Sequence, residues 1–189
     1  MNSLISNIET IVEKACRSKK NTFGYSAWTH HIAKVVTFSK QLADMMHADS
    51  EVVELAALLH DYASIINKDF YQDHHVHGAH LAQQLLEKYN YPQEKIEQIE
   101  HCILSHRASK NIKRETIEAE IIASADAMAH FTNIPSLFSL AYTVKGLETE
   151  EGKVFVMEKL ERSWKKLLPE AKEIIKPQYR AAKMLFNNH

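Results

Sequence analysis

Residues that break helices are rare in this chain. Of 189 residues only four are glycine and four proline. The alternation of apolar and polar residues that marks strands is scarce, while helix-period patterning is nearly continuous, so the leading reading is an all-α fold. Two cysteines, Cys16 and Cys102, are too few for a disulfide framework and fit a reducing compartment. No run approaches the ~20 apolar residues of a membrane span. The opening Met1-Asn2-Ser3-Leu4-Ile5 has neither the basic nor the apolar region of a secretory signal. The protein therefore reads as cytoplasmic, with no membrane partner. Basic charge is not in excess either: the formal net charge is −1. That removes the electrostatic case for a nucleic-acid scaffold while leaving a nucleotide substrate open. What the chain does have in quantity is histidine, twelve in all.

The segment Leu55-Ala56-Ala57-Leu58-Leu59-His60-Asp61-Tyr62 organises the rest. Its apolar run leaves a helix no polar side, which places it at the centre of the domain, and it ends in an adjacent histidine and carboxylate. An ionised Asp buried beside a His costs several kcal/mol unless compensated, and a bound cation is a common compensator. The helical stripes point to partners. A first helix is expected over about 3–18, ended by Asn21-Thr22-Phe23-Gly24, and a second over 27–47. In that second helix His31 shares the stripe of Val35, Phe38 and Leu42, and His30 shares a solvent face with Lys34, Thr37 and Gln41. Asp49-Ser50 is a candidate N-cap for the central helix, expected to end near Tyr62 and to be followed by a polar connection over 63–73.

In the helix that follows, His74 and Gly78 fall on the stripe of Leu81, His75 falls with Ala79 and Ala82, and His80 points outward. Pro92 opens the next helix, where Ile96, Ile99, Ile103 and His106 share the core face and His101 does not. A further helix carries Ile117, Ile121, Ile122 and Ala125, with Asp126 among the small apolar neighbours Ala119, Ile122, Ala123 and Ala129. Three helices are expected from residue 134 on, one carrying Val154, Met157, Leu160, Trp164 and Leu168. Lys159, Arg162, Lys165 and Lys166 read as its solvated face, with a phosphate-binding role the lesser alternative. His130 is either a partner of Asp126 one turn earlier or a plain helix-end histidine. With no linker or repeat in sight, one domain is expected, its core at about 27–130 with C-terminal helices 134–189 packed on it.

Six residues thus stand on inward faces: His31, His60, Asp61, His74, His106 and Asp126. Imidazole nitrogen with carboxylate oxygen suits iron, manganese, nickel or zinc, leaves magnesium possible, and is poor for calcium. Four of these residues could hold one ion; six could hold two, with Asp61 bridging. Any one inward histidine alone is more simply a hydrogen-bonded core residue, and Asp126 alone could pair with Arg107.

His31, His60-Asp61 and Asp126, at these intervals and on helices, resemble the HD-domain superfamily of metal-dependent phosphohydrolases, and the tail from Glu158-Lys159-Leu160-Glu161-Arg162 through Pro169-Glu170-Ala171-Lys172 is similar to its predicted bacterial and archaeal hydrolases. His74-x-x-x-Gly78-Ala79 and His106 match the additional histidines of the two-metal members. Where the family often continues His-Asp with Ile-Gly-Lys, this chain has Tyr62-Ala63-Ser64. The resemblance implies an all-α fold, a metal at His31, His60, Asp61 and Asp126, and hydrolysis of a phosphate ester or anhydride. His74 and His106 would hold a second ion or bind phosphate, and nucleotides are the implied small phosphorylated substrates. Arg107, whose planar fork suits a phosphate, is the candidate for stabilising it. Two alternatives are a diiron oxygenase with a similar ligand set and a non-catalytic nucleotide-binding module.

Overall fold

The computed structural model describes residues 3–107, 109–110 and 112–186; residues 187–189 of the expected C-terminal segment lie outside them. Every regular element among the described residues is helical. The first, α1 (Ser3–Cys16), buries Ile5, Ile8, Val12 and Cys16 along one face. It ends where the buried Asn21 amide donates to the carbonyls of Cys16 (2.9 Å) and Gly24 (2.9 Å), and Gly24 turns the chain at φ 70°. A wide π-helical turn, Ala27–Ile32, then winds directly into α2 (Ala33–Met46), which closes on His47 in the left-handed region.

The apolar run forms α3 (Ser50–Leu59), and the expected N-cap is present: the Asp49 carboxylate accepts from the amides of Glu51 (3.0 Å) and Val52 (3.2 Å). Val52, Val53 and every residue from Leu55 to Leu59 are buried. The helix stops at Leu59, with the last residue of the apolar run and short of the end expected near Tyr62. Asp61 takes φ −108° and ψ 3°, and the chain restarts as α4 (Tyr62–Ile66) and a 3-10 turn, Lys68–Asp73. The polar connection expected over 63–73 is thus partly a core helix burying Ala63, Ser64 and Ile65. A five-residue helix is too short to show a period, which is why composition misread it.

Next come α5 (His74–Glu87), α6 (Gln93–Ser105) and α7 (Ile117–Thr132). Every residue of α7 from Ile121 to Phe131 is buried, so α3 and α7 are the two central rods. The C-terminal part comprises α8 (Ile134–Ser139), a π-helical turn at Leu140–Val144, α9 (Thr149–Lys166) and α10 (Pro169–Phe186). Leu160, Leu167, Ala171, Ile175 and Ala182 join the same hydrophobic core as α1 to α7. The stripe of α9 differs from the one expected: Gly152, Val156, Leu160 and Ser163 face inward, while Val154 is 46% and Met157 38% exposed. Small Gly152 and Ser163 carry the buried face, and hydrophobicity alone selected its neighbours. No described helix is long and apolar enough to cross a membrane.

Gly78 brings α5 close against α6. A Cβ there would stand 3.2 Å from Ile103 Cγ2 and 3.5 Å from the His60 carbonyl oxygen. Replacing Gly78 with Val should therefore lower unfolding free energy by about 1–3 kcal/mol, read as a lower urea midpoint. An unchanged midpoint would show that the two helices separate freely.

Candidate metal centre

Helix ends deliver the histidines. His60 follows the last residue of α3, and its Nδ1–H donates to the Ala57 carbonyl at 2.8 Å. His106 follows α6 in the same way and donates to Ile103 at 2.6 Å. Carbonyls in the last turn of a helix lack intrahelical partners, so these imidazoles satisfy them and are fixed in orientation. His74 opens α5 and donates back to the Tyr71 carbonyl at 2.8 Å. A carbonyl only accepts, so in each ring the proton sits on Nδ1, and in a neutral ring Nε2 is left as a lone pair.

The Nε2 atoms converge. His74 and His106 place theirs 3.3 Å apart, and His31 and His60 3.2 Å apart. Asp61 lies between the two pairs. Its Oδ1 is 3.1 Å from His74 Nε2, while its Oδ2 is 3.2 Å from His31 Nε2 and 3.5 Å from His60 Nε2. Asp126 Oδ1 approaches His31 Nε2 at 3.5 Å. Two groups result, His31 with His60 and Asp126, and Asp61 with His74 and His106, and each could hold a metal ion. Donors bound at about 2.1 Å to a shared ion are separated by roughly 3.0–3.4 Å, so the spacing fits the coordination of a first-row metal. The break between α3 and α4 serves this arrangement, because Asp61 is freed from helical geometry and presents one oxygen to each group.

The six inward residues are thus brought together. His30, His77 and His80 are exposed, whereas His75 is buried with its Nδ1 unpartnered. Arg107 lines the same cleft but donates to the Gln72 carbonyl. Asp126 pairs with a residue that sequence periodicity placed in solvent. Lys166 Nζ lies 2.6 Å from Asp126 Oδ2, with only 6% of its side chain exposed, and also donates to the His106 carbonyl at 3.0 Å. Lys159 and Arg162 line the cleft too. The solvated-face reading fails for Lys166 because the small buried face of α9 lets long stems lie along the core. His130 belongs to the cluster as well: its Nε2 is 3.5 Å from Asp126 Oδ1, its Nδ1 2.9 Å from Ser163 Oγ, and its ring stacks on His31. Its position one turn after Asp126 was the available signal.

Electrostatics follow from burial and opposite charge. Burial pushes the Asp61 carboxyl up, but His60, His31 and His74 outweigh it and hold it well below the usual range. For Asp126 burial is likewise outweighed, chiefly by Lys166 and His130. Burial lowers His106 far below the ordinary imidazole value, reinforced by His74 and His60, and lowers His74 despite Asp61. These two rings are therefore neutral, and their facing lone pairs cannot hydrogen-bond each other. His60 differs. Burial opposes its charge, yet Asp61 and Asp126 prevail and raise it to about 9. Apart from the fully buried His60, the constellation opens on a cleft of about 340 Å³.

The HD-domain family matches residues 28–130, more than half of the sequence. The chain belongs to the HD-domain family. Solved structures share its fold. A predicted HD superfamily hydrolase from an uncultured Thermotogales bacterium is 19% identical, with a TM-score of 0.59 over 95% of this chain and 92% of that one. The Lin1889 protein of Listeria innocua is 21% identical, with a TM-score of 0.71 over 98% and 94%. Bacillus subtilis YpgQ, solved in complex with ADP, is 19% identical, with a TM-score of 0.66 over 97% and 98%. No curated protein matches the chain.

Two expectations follow for this HD-domain protein. A cation must displace the proton that His60 carries up to about pH 9, so Mn²⁺ binding near pH 7 should release about one proton per protein. Calorimetry in buffers of different ionisation enthalpy reads this directly, and affinity should rise with pH. In Lys166→Met the buried Asp126 carboxylate loses its cation, which should cost the metal-free protein roughly 3–5 kcal/mol in denaturant unfolding.

Proposed function

We propose that this HD-domain protein is a metal-dependent phosphohydrolase that cleaves a phosphate ester or anhydride, with a nucleotide as substrate. The observation that carries the reading is the meeting of neutral His74 and His106 through their Nε2 lone pairs, 3.3 Å apart, beside the Asp61 carboxylate. Acceptors at that distance with no proton between them repel unless a cation joins them. His31, His60 and Asp126 would hold one ion, and His74 and His106 a second, with Asp61 shared. Bound there, divalent ions supply hydroxide from water at neutral pH and neutralise charge on phosphoryl oxygens. Iron, manganese, nickel and zinc suit the nitrogen and oxygen donors.

The chain's own groups prepare the site. The Ala57, Tyr71 and Ile103 carbonyls orient three imidazoles. Lys166 occupies Asp126 Oδ2 and leaves Oδ1 facing the histidines. Arg107 stands at the cleft beside His106, where its guanidinium can stabilise a bound phosphate. The nucleotide is supported by the cleft's size and by the ADP bound to the similar B. subtilis YpgQ.

The deciding experiment is metal analysis followed by turnover on a panel of phosphomonoesters and nucleotides with Mn²⁺, Fe²⁺, Ni²⁺ and Zn²⁺. Asp61→Ala and His106→Ala should reduce turnover by at least about 10³-fold, as expected when an activating ion is lost. His30→Ala and His80→Ala should keep both metal and activity. Equal behaviour of inward and outward histidines would overturn the reading.

A further inference from the structure

Two lysines of α9 stand seven residues apart on the side facing the His/Asp groups, and their situations differ. Lys166 is neutralised by Asp126 at 2.6 Å. Lys159 lines the same cleft with its residue only partly exposed, and it has neither a hydrogen bond nor an ion pair among the described residues. A half-buried ammonium without a direct ion pair is costly, and here burial outweighs the more distant pull of Asp126 and Asp61. Its neighbours deepen the imbalance. Arg162, one turn along, lines the cleft and among the described residues pairs with the exposed Glu158 at 3.3 Å. Lys145, across the cleft, lies over the Tyr71 and Phe155 rings at 5.6 and 5.2 Å rather than beside a carboxylate. The two acids that face Lys159 from the core, Asp61 and Asp126, already serve the histidines and Lys166.

We propose that Lys159 binds a second anionic group of the substrate, next to the one taken by the metal centre. This rests on the hydrolase reading and narrows it to substrates carrying adjacent phosphoryl groups, as in a diphosphate or triphosphate. With two carboxylates and one paired lysine, the cleft reaches a positive balance as soon as divalent ions enter in place of the His60 proton. Lys159 then adds a fixed cation in the same cleft, available to a further phosphoryl group of a ligand held at the metal centre. The lysine is a substrate-positioning group and plays no part in holding the ions.

The test compares wild type, Lys159→Met, Lys159→Arg and the exposed control Lys165→Met, each loaded with Mn²⁺. Calorimetry measures binding of inorganic pyrophosphate and of orthophosphate, and elemental analysis measures metal content. Lys159→Met should lose pyrophosphate affinity by roughly tenfold or more, the usual worth of a charge-assisted contact. Orthophosphate affinity and metal content should stay as in wild type, and Lys159→Arg and Lys165→Met should retain pyrophosphate binding. Without anion, Lys159→Met should melt no lower than wild type, since it removes an unpaired charge; a purely packing role predicts a lower melting temperature. Pyrophosphate binding equal to wild type in Lys159→Met overturns the role of Lys159 alone. Wild-type protein that holds Mn²⁺ but binds neither anion overturns the hydrolase reading with it.

Discussion

The interior of this protein is organised by an excess of acceptors over donors at one point. Nε2 lone pairs and carboxylate oxygens from five stretches of chain meet within hydrogen-bond distance of each other. In a polypeptide such a cluster is repulsive, and only positive charge makes it favourable. Part of that charge is built in as Lys166, and part is the proton on His60 in the absence of ions. The helices around the cluster therefore have to withstand local repulsion, and the apolar packing of α3 and of the aliphatic residues of α7 provides the restraint.

Helix termini recur as the means of placement. Histidines sit just past α3 and α6 and at the start of α5, where backbone carbonyls lack internal partners. Each ring satisfies one such carbonyl and in return is locked with its other nitrogen aimed inward. One hydrogen bond thus stabilises the helix end, selects the tautomer and sets the direction of a prospective ligand. Asp61 uses the gap between α3 and α4 to the same effect, its two oxygens facing different imidazole pairs.

Much of this could be read along the chain. His31, His60, Asp61, His74, His106 and Asp126 share their stripes with aliphatic residues, and such periodicity survives the π-helical turn at His31. What escaped was governed by contacts that periodicity does not encode. The break after Leu59 falls at His60-Asp61, where no glycine or proline marks a turn. In α9 the inward face is marked by Gly152 and Ser163, residues too small to raise any hydrophobic signal. Hydrophobic periodicity consequently turns Lys166 and Lys159 toward water, although both line the cleft. A lysine's fate depends on which carboxylate lies across from it, and Asp126 is forty residues away in the chain.

The π-helical turn Ala27–Ile32 sets His31 apart from His60, His74 and His106. Theirs are pinned by carbonyls three residues back, whereas His31 has no such anchor among the described residues and rides on wide, loosely bonded backbone. The cluster thus combines a rigid frame with one compliant arm. An ion held there would be accommodated by small adjustments of that single turn while the frame keeps its shape.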